Sequence, residues 1–401
     1  MKTQITTFLL LTFGVVWAQE SATTKAWYEQ DRLLPRHADM EESGISPFLY
    51  YDGIVSASLD GGKRTSDNFT SQVYAGMNLD LEKLLGWDDT TAKISMVNRQ
   101  GNGIAGDVGG IYDPMTINGG PSGQVAWLYE AWIEKTIGDH VAVKFGRTSM
   151  DEDFANDDLY RYSLSTAING PIRSMMLENP QIFSFPLALW GSRVKYTPND
   201  THKLQLGAYQ INDNPFGDYL KGNDWSFRSG DGVTIMGQYD YTPEILDRPS
   251  RFYVGIADSV YDYTDFDGGT TDNLLRLYGH GAVEVTQDLT LFAFGAYTSQ
   301  DETASVPLQI SGGANWTGLI PGREKDRTIA FVTYGELSDK WGDSQEAPLD
   351  VDSETVYELG HRIQMLPSFY IQPSVQYIQD PGGTGDIDDA VVAGAWIGAS
   401  F

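Results

Sequence analysis

The side chains of this sequence with the most capacity for chemistry fall at every second position of short runs. These are Arg99, then Glu130, Trp132 and Glu134, then Arg193 and Lys195, then Arg276, His280 and Glu284. Glu358, Arg362 and Gln364 follow, and then Gln372, Ser374 and Gln376. Guanidinium, carboxylate and amide groups supply donors and acceptors for hydroxyls, and an indole offers a face to C–H surface. Weak binding at several such places speeds a solute through a pore without trapping it. Any one of these groups could instead be satisfied by its neighbours on a protein wall; as a set facing one lumen they point to a path for sugars. Arg99 and Glu130, on consecutive predicted strands, are expected to act together as a polar clamp on one sugar ring.

Enzyme chemistry finds little support. Of five histidines, His37 precedes the patterned region, His140 and His202 sit at turns, and only His280 has the parity of the charged face, which His361 lacks. Ser192 or Ser226 would need a histidine and an orienting group, and none is placed for either. HExxH, CxxC and GxxxxGK[ST] are absent from the sequence, so no catalytic residue and no resident cofactor is expected. A formal charge of −28 rules out a phosphate-binding face for nucleic acid. Acids crowd the predicted loops: Asp151, Glu152, Asp153, Asp157 and Asp158; Asp262, Asp265, Asp267 and Asp272; Asp386, Asp388 and Asp389. Such oxygens suit Ca²⁺, but with no twelve-residue calcium loop present, solvated loop tips are the simpler reading.

The elements that must position these groups are strands. Residues 1–18 read as an export signal, with Lys2, an apolar Phe8 to Val16 and small residues before Gln19; 19–44 reads as a short periplasmic segment. The chain has no cysteine, a mean hydropathy of −0.31, and 22 Tyr, 17 Phe and 10 Trp. A membrane barrel reconciles that modest hydropathy with so many aromatics, because it shows lipid only every second residue. From 45 to 401, runs of about ten residues alternate in polarity, the length of a tilted spanning strand. They predict an all-β, antiparallel up-and-down transmembrane barrel of about sixteen strands in a Gram-negative-type outer membrane, surrounded by its lipid. Connections after odd-numbered strands are mostly long, 149–187 above all, and those after even-numbered strands mostly short, the outer-membrane rule. The last run ends on Phe401, the kind of closing strand that barrel assembly machinery reads.

Parity separates lumen from lipid, since Arg or Lys on the lipid face at mid-membrane costs about 2–4 kcal/mol. The inferred lumen is mixed and somewhat basic, with Lys93, Arg99, Lys144, Arg193, Lys195, Lys203, Arg276 and Arg362 facing Glu130, Glu134, Asp240, Glu284 and Glu358. Runs 289–299 and 326–337 are apolar on both parities and have no assigned face. The 149–187 loop carries Phe154, Tyr160, Tyr162, Met175, Met176, Phe183 and Phe185, too much apolar surface for an exposed loop, and is predicted to fold inward and constrict the lumen.

Several stretches resemble the carbohydrate-selective porin (OprB) family: Ile371 to Gly383 with Asp389 to Phe401, then Phe145-Gly146-Arg147 leading to Asp151 to Ala155, Leu206 to Asn212, and Ile320 to Asp326. The resemblance implies a sixteen-stranded barrel that passes mono- and oligosaccharides by facilitated diffusion, narrowed by its third outer loop. It also implies an arginine, a glutamate and an aromatic at the constriction, for which Arg99, Glu130 and Trp190 are the nearest matches. The other readings are a general or ion-selective porin, and a non-transporting barrel such as an adhesin or lipid-modifying enzyme. Whether the pore works as a monomer or a homotrimer is left open.

Overall fold

The computed structural model describes residues 38–117, 124–170, 172–176, 184–212 and 224–401. The expected export signal lies outside the described residues, as does most of 19–44, whose end forms the one-turn helix α1 (Ala38–Glu42). The strands are β1 (Ile45–Asp60), β2 (Ser66–Asp80), β3 (Thr90–Gln100), β4 (Gln124–Ile137), β5 (Val141–Thr148), β6 (Leu189–Asn199), β7 (His202–Ile211) and β8 (Gly232–Tyr241). They continue as β9 (Glu244–Ile245), β10 (Arg248–Thr264), β11 (Thr270–Glu284), β12 (Leu289–Thr298), β13 (Leu308–Thr317), β14 (Arg327–Glu336), β15 (Ser353–Leu366), β16 (Phe369–Gln379) and β17 (Ala390–Ser400).

All of them but the two-residue β9 form a ring of sixteen. Each pairs antiparallel with its neighbours, and β1 bonds β2 on one side and β17 on the other. Closure leaves no edge, so the strands satisfy their backbone groups within the wall, as a lipid environment demands. Phe401 extends the seam, its N–H donating to the Leu49 carbonyl at 2.8 Å. The alternation predicted from the sequence is the burial pattern: on β8, Ile235, Tyr239 and Tyr241 are exposed while Thr234, Met236 and Gln238 are buried. Val55, Phe69, Met96, Leu206, Val254, Leu277 and Leu359 continue the outward apolar face round the ring.

Two of the longer connections at the short-turn end of the barrel, 81–89 and 242–247, each have a local structure. Residues 81–85 form the helix α2 (Leu81–Leu85), started by Asp80, whose side chain accepts from the N–H groups of Glu82 and Lys83, and stopped at Gly86 with φ +71°. Between β8 and β10, β9 makes a small hairpin whose turn, Leu246-Asp247, has φ +56° at both residues. Positive φ at both central positions matches the right-handed twist of the flanking strands.

The core lies inside the ring. Loop residues Ile104, Val108, Met150, Phe154, Tyr160, Leu164, Ile172 and Met175 are packed against Ile54, Tyr253, Phe292, Phe294 and Phe331 of the wall. This explains the two runs without a readable face. Phe292, Phe294, Ile329 and Phe331 point inward yet are buried in this core: Tyr160 sits on the two phenylalanines of β12, with ring centroids 6.3 and 4.5 Å away, and Phe331 packs edge-on against Phe292 at 5.2 Å.

Candidate functional site: the lumen and its constriction

The connection from β5 to β6 crosses the barrel interior, as its apolar content predicted, and a series of polar contacts fixes its course. At its start Asp153 meets Lys144 (2.5 Å) and Arg193 (3.1 Å), and its carbonyl accepts from Gln205 (2.8 Å). The Ala155 N–H then donates to Gln238 (2.9 Å), and Asp157 takes both arms of Arg251 (2.8 and 2.9 Å). Farther on, Tyr160 bonds Tyr253 and His280, each at 2.8 Å. Glu358 accepts from the Leu164 N–H (2.9 Å), the Ser163 hydroxyl and Ser374 (2.8 Å). Gln372 donates to the Tyr162 carbonyl (2.6 Å), and Gln309 to that of Ala167 (2.9 Å). Asp151 closes the loop on itself by accepting the Phe185 N–H (3.0 Å). Phe183 lies outside the described residues.

A second loop, between β3 and β4, lies on the first. Its Asp113 carbonyl accepts the Thr166 N–H (2.9 Å), and its Thr116 N–H donates to Leu164 (2.7 Å). Glu354 holds it to the wall by accepting from Ile111 (2.6 Å) and Tyr112 (3.1 Å), and Gln376 does so through the Pro114 carbonyl (2.9 Å). Its burial was not read from the sequence, although Ile104, Val108, Tyr112, Met115 and Ile117 carried the same apolar signal as the longer loop.

Glu358 and Gln376 are therefore loop anchors, committed to protein partners. The acids of the long loop also need correction: Asp151, Asp153 and Asp157 are not solvated tips but lie inside the barrel, where two of them neutralise wall cations. Inclusion of these acids makes the lumen less basic than parity alone suggested. Burial would raise the Asp157 carboxyl, but hydrogen bonds from His280 and Arg251 outweigh it and hold the group well below the usual carboxylate range. For Asp151, burial and the neighbouring Glu152 push the carboxyl up to about 7. Among the described residues no cluster of ligands could hold a metal ion.

The long loop takes its polar anchors mainly from β5 to β16, and the inward side chains of β1 to β4 line the remaining strip. Arg99 donates to Gln72 (2.7 Å) and lies 5.2 Å from the Phe185 ring. Glu130 accepts from Tyr74 (2.9 Å), Ser95 (3.0 Å) and Trp132 (2.7 Å) and pairs with Lys93 (2.7 Å). Arg99 and Glu130 thus keep separate partners. Ser95 is four residues along β3 from Arg99, a rise of roughly 13 Å, so the two groups stand at successive levels and do not form one clamp. Aromatic rings join the levels: Phe185 meets Tyr74 at 5.6 Å, and Tyr74 meets Tyr50 at 6.2 Å and Phe48 at 5.0 Å. Tyr50 is 43% exposed on the inward face, opposite Tyr74 in the β1–β2 register.

Trp190 is not in the lumen. It shares the outward face with Val194 and Tyr196, stacks on Phe145 at 5.2 Å and donates to the Trp225 carbonyl at 2.7 Å. A bulge in β4 explains why other aromatics were overlooked. Ile94 pairs with Ala131 but Met96 with Leu128, so Tyr129 and Glu130 share the space opposite Ser95 and both are fully buried. Inward parity therefore changes along this strand, from Trp127 and Tyr129 to Glu130, Trp132 and Glu134, a slip that alternation alone does not reveal. Arg193 bridges Glu134 (2.5 Å) and Asp153, while Arg276 donates to Ser259 (2.7 Å) near the loop end. Under the loop, toward the short turns, a cavity of about 470 Å³ is lined by Asp153, Asp157, Lys203, Asp240, Arg251 and Tyr253 among others.

Comparison with known proteins agrees with this geometry. QuiX of Acinetobacter baylyi, provisionally named a porin, is 26% identical over 453 residues and the match covers 98% of each chain. Porin B of Pseudomonas aeruginosa is 27% identical over 422 residues, covering 91% of this chain and 89% of the relative. A high-pH structure of Pseudomonas putida OprB superposes with a TM-score of 0.82 at 22% identity, over 91% of this chain and 96% of that one, which shows a shared fold. The model of the carbohydrate-selective porin, OprB, family matches residues 66–283 and 276–401, and the chain belongs to that family.

Proposed function

We propose that this outer-membrane carbohydrate porin passes its solute down the strip between the inward loop and β1 to β4. Supporting this reading, one strip holds an aromatic series, Phe185, Tyr74, Tyr50 and Phe48, flanked by Arg99, Lys93 and Glu130. Rings take the C–H face of a pyranose, and the charged groups exchange partners with its hydroxyls, so the sugar is handed from level to level by weak contacts. The loop end faces the outside of a Gram-negative-type outer membrane and the turn end the periplasm, the orientation in which barrels of this kind are inserted. Phe401, bonded across the β1–β17 seam, is where assembly machinery would engage the closing strand.

An ion-selective pore of the same fold would act on charge alone. Planar-bilayer recording separates the two: with glucose added, this reading expects concentration-dependent block of the single-channel current. Steady conduction unaffected by glucose would establish the ion-selective alternative.

A further inference from the structure

Arg327, the first residue of β14, and Arg362 of β15 are direct cross-strand partners. Like charges in that position destabilise a sheet. Both guanidiniums nevertheless lie on one ring, Tyr162 of the long loop, at 4.9 and 4.3 Å from its centroid. Arg362 is further surrounded by Tyr370 (4.0 Å) and Trp396 (5.5 Å). Their hydrogen-bond partners are neutral: Asn315 for Arg327 (3.3 Å), and Gln372 (2.6 Å) and the Arg161 carbonyl (2.9 Å) for Arg362. Among the described residues neither forms an ion pair with a carboxylate. Lys93, Lys144, Arg193, Lys203 and Arg251 each have one. Two acids stand beside the cluster and both are engaged elsewhere: Asp52 accepts from the Trp396 N–H (2.9 Å) and the Tyr370 hydroxyl (3.4 Å), and Asp326 accepts from both arms of Arg323 (2.7 and 2.9 Å) and from the Gln364 N–H (2.9 Å).

Resting on the sugar-path reading, we infer that Arg327 and Arg362 form a binding site for a carboxylate carried on a polyhydroxylated solute, so that the pore also takes sugar acids. Two planar guanidiniums, half-buried and with no carboxylate in ion-pair contact among the described residues, match a carboxylate in geometry and charge. Stacking on Tyr162 keeps them together in its absence. Tyr370 and Asp52 beside them offer partners for the hydroxyls of the same molecule. The site lies at the turn end, below the constriction, where it would draw an anionic sugar through the narrow region and toward release.

Glucose and gluconate serve as probes, since they are of similar size and differ in charge. Block of the single-channel current is titrated with each at fixed ionic strength, on the wild type and on Arg327→Gln, Arg362→Gln and Arg327→Lys, all first shown to be folded by heat-modifiable migration. The wild type should show half-block at a gluconate concentration about tenfold below that of glucose, equivalent to 1.4 kcal/mol. That ratio should fall toward one in the glutamine variants and persist in Arg327→Lys, which keeps the charge. If the wild type is blocked by glucose with no preference for gluconate, or if both glutamine variants keep the preference, the arginine site is wrong while the sugar path stands. Absence of block by either solute would instead overturn the sugar path on which it rests.

Discussion

Asp157 in the long loop takes both arms of Arg251 on β10, Nε to Oδ2 at 2.8 Å and Nη2 to Oδ1 at 2.9 Å, and so ties the loop to the wall at that strand. A two-point ion pair of this kind sets direction as well as distance. Because the carboxyl is held below the usual range, folded-state stability from it is complete above the unfolded carboxylate value and is lost as pH falls through the folded one. Asp157→Asn should leave Arg251 without its counter-charge, lower the unfolding temperature and increase current noise at pH 7. At pH values low enough to protonate Asp157, the difference between variant and wild type should shrink. Thermal melts and open-channel noise measured across pH check both statements.

Asp151 should behave in the opposite way. Its carboxyl is raised to about 7 by burial and by Glu152, so the protonated form is favoured in the folded protein. Stability linked to it is complete below its unfolded value of about 3.9 and is lost as pH rises through about 7. Asp151→Asn keeps an oxygen for the Phe185 N–H and cannot ionise, so the variant should melt above the wild type at pH 8 and lack that part of the pH slope. Calorimetric melting temperatures between pH 5 and 8 provide the comparison.

Alternation made the barrel legible because a spanning strand must show opposite chemistry to lipid and water, and it placed Arg193, Arg276, Arg362 and Gln372 on the inward face. What alternation could not convey is what fills the inside. The inward phenylalanines of β12 and β14 contradict a wet lumen; Tyr160 covers those of β12, and Phe331 of β14 packs edge-on against Phe292. Glu358 read as a sugar ligand because its partners, Ser163 and Leu164, lie nearly two hundred residues away in sequence and only the folded loop brings them together. The β4 bulge shifts parity by one residue with no mark in composition, and Trp190 was drawn toward the pore by its position after the loop when its parity already pointed outward.

Separate placement of Arg99 and Glu130 has an energetic consequence. Arg99→Ala and Glu130→Gln should each weaken glucose block, by up to the roughly 1.5–3 kcal/mol of a charged hydrogen bond. With distinct partner sets, the double variant should show the sum of the single effects within about 0.5 kcal/mol. A coupling energy well above that would restore the single clamp expected from the sequence. Titrations on the four proteins of the cycle give the value directly.

The absence of cysteine makes the path itself accessible to a direct measurement. Tyr50→Cys introduces a lone thiol in the open strip, and Trp190→Cys introduces one on the outward face. Single-channel current is followed while a charged, water-soluble thiol reagent is added, with and without glucose. The account predicts that Tyr50→Cys loses current on modification, that glucose slows this loss, and that Trp190→Cys conducts unchanged. If modification at Tyr50→Cys leaves the current and its glucose block intact, the strip between the loop and β1 to β4 does not carry the solute.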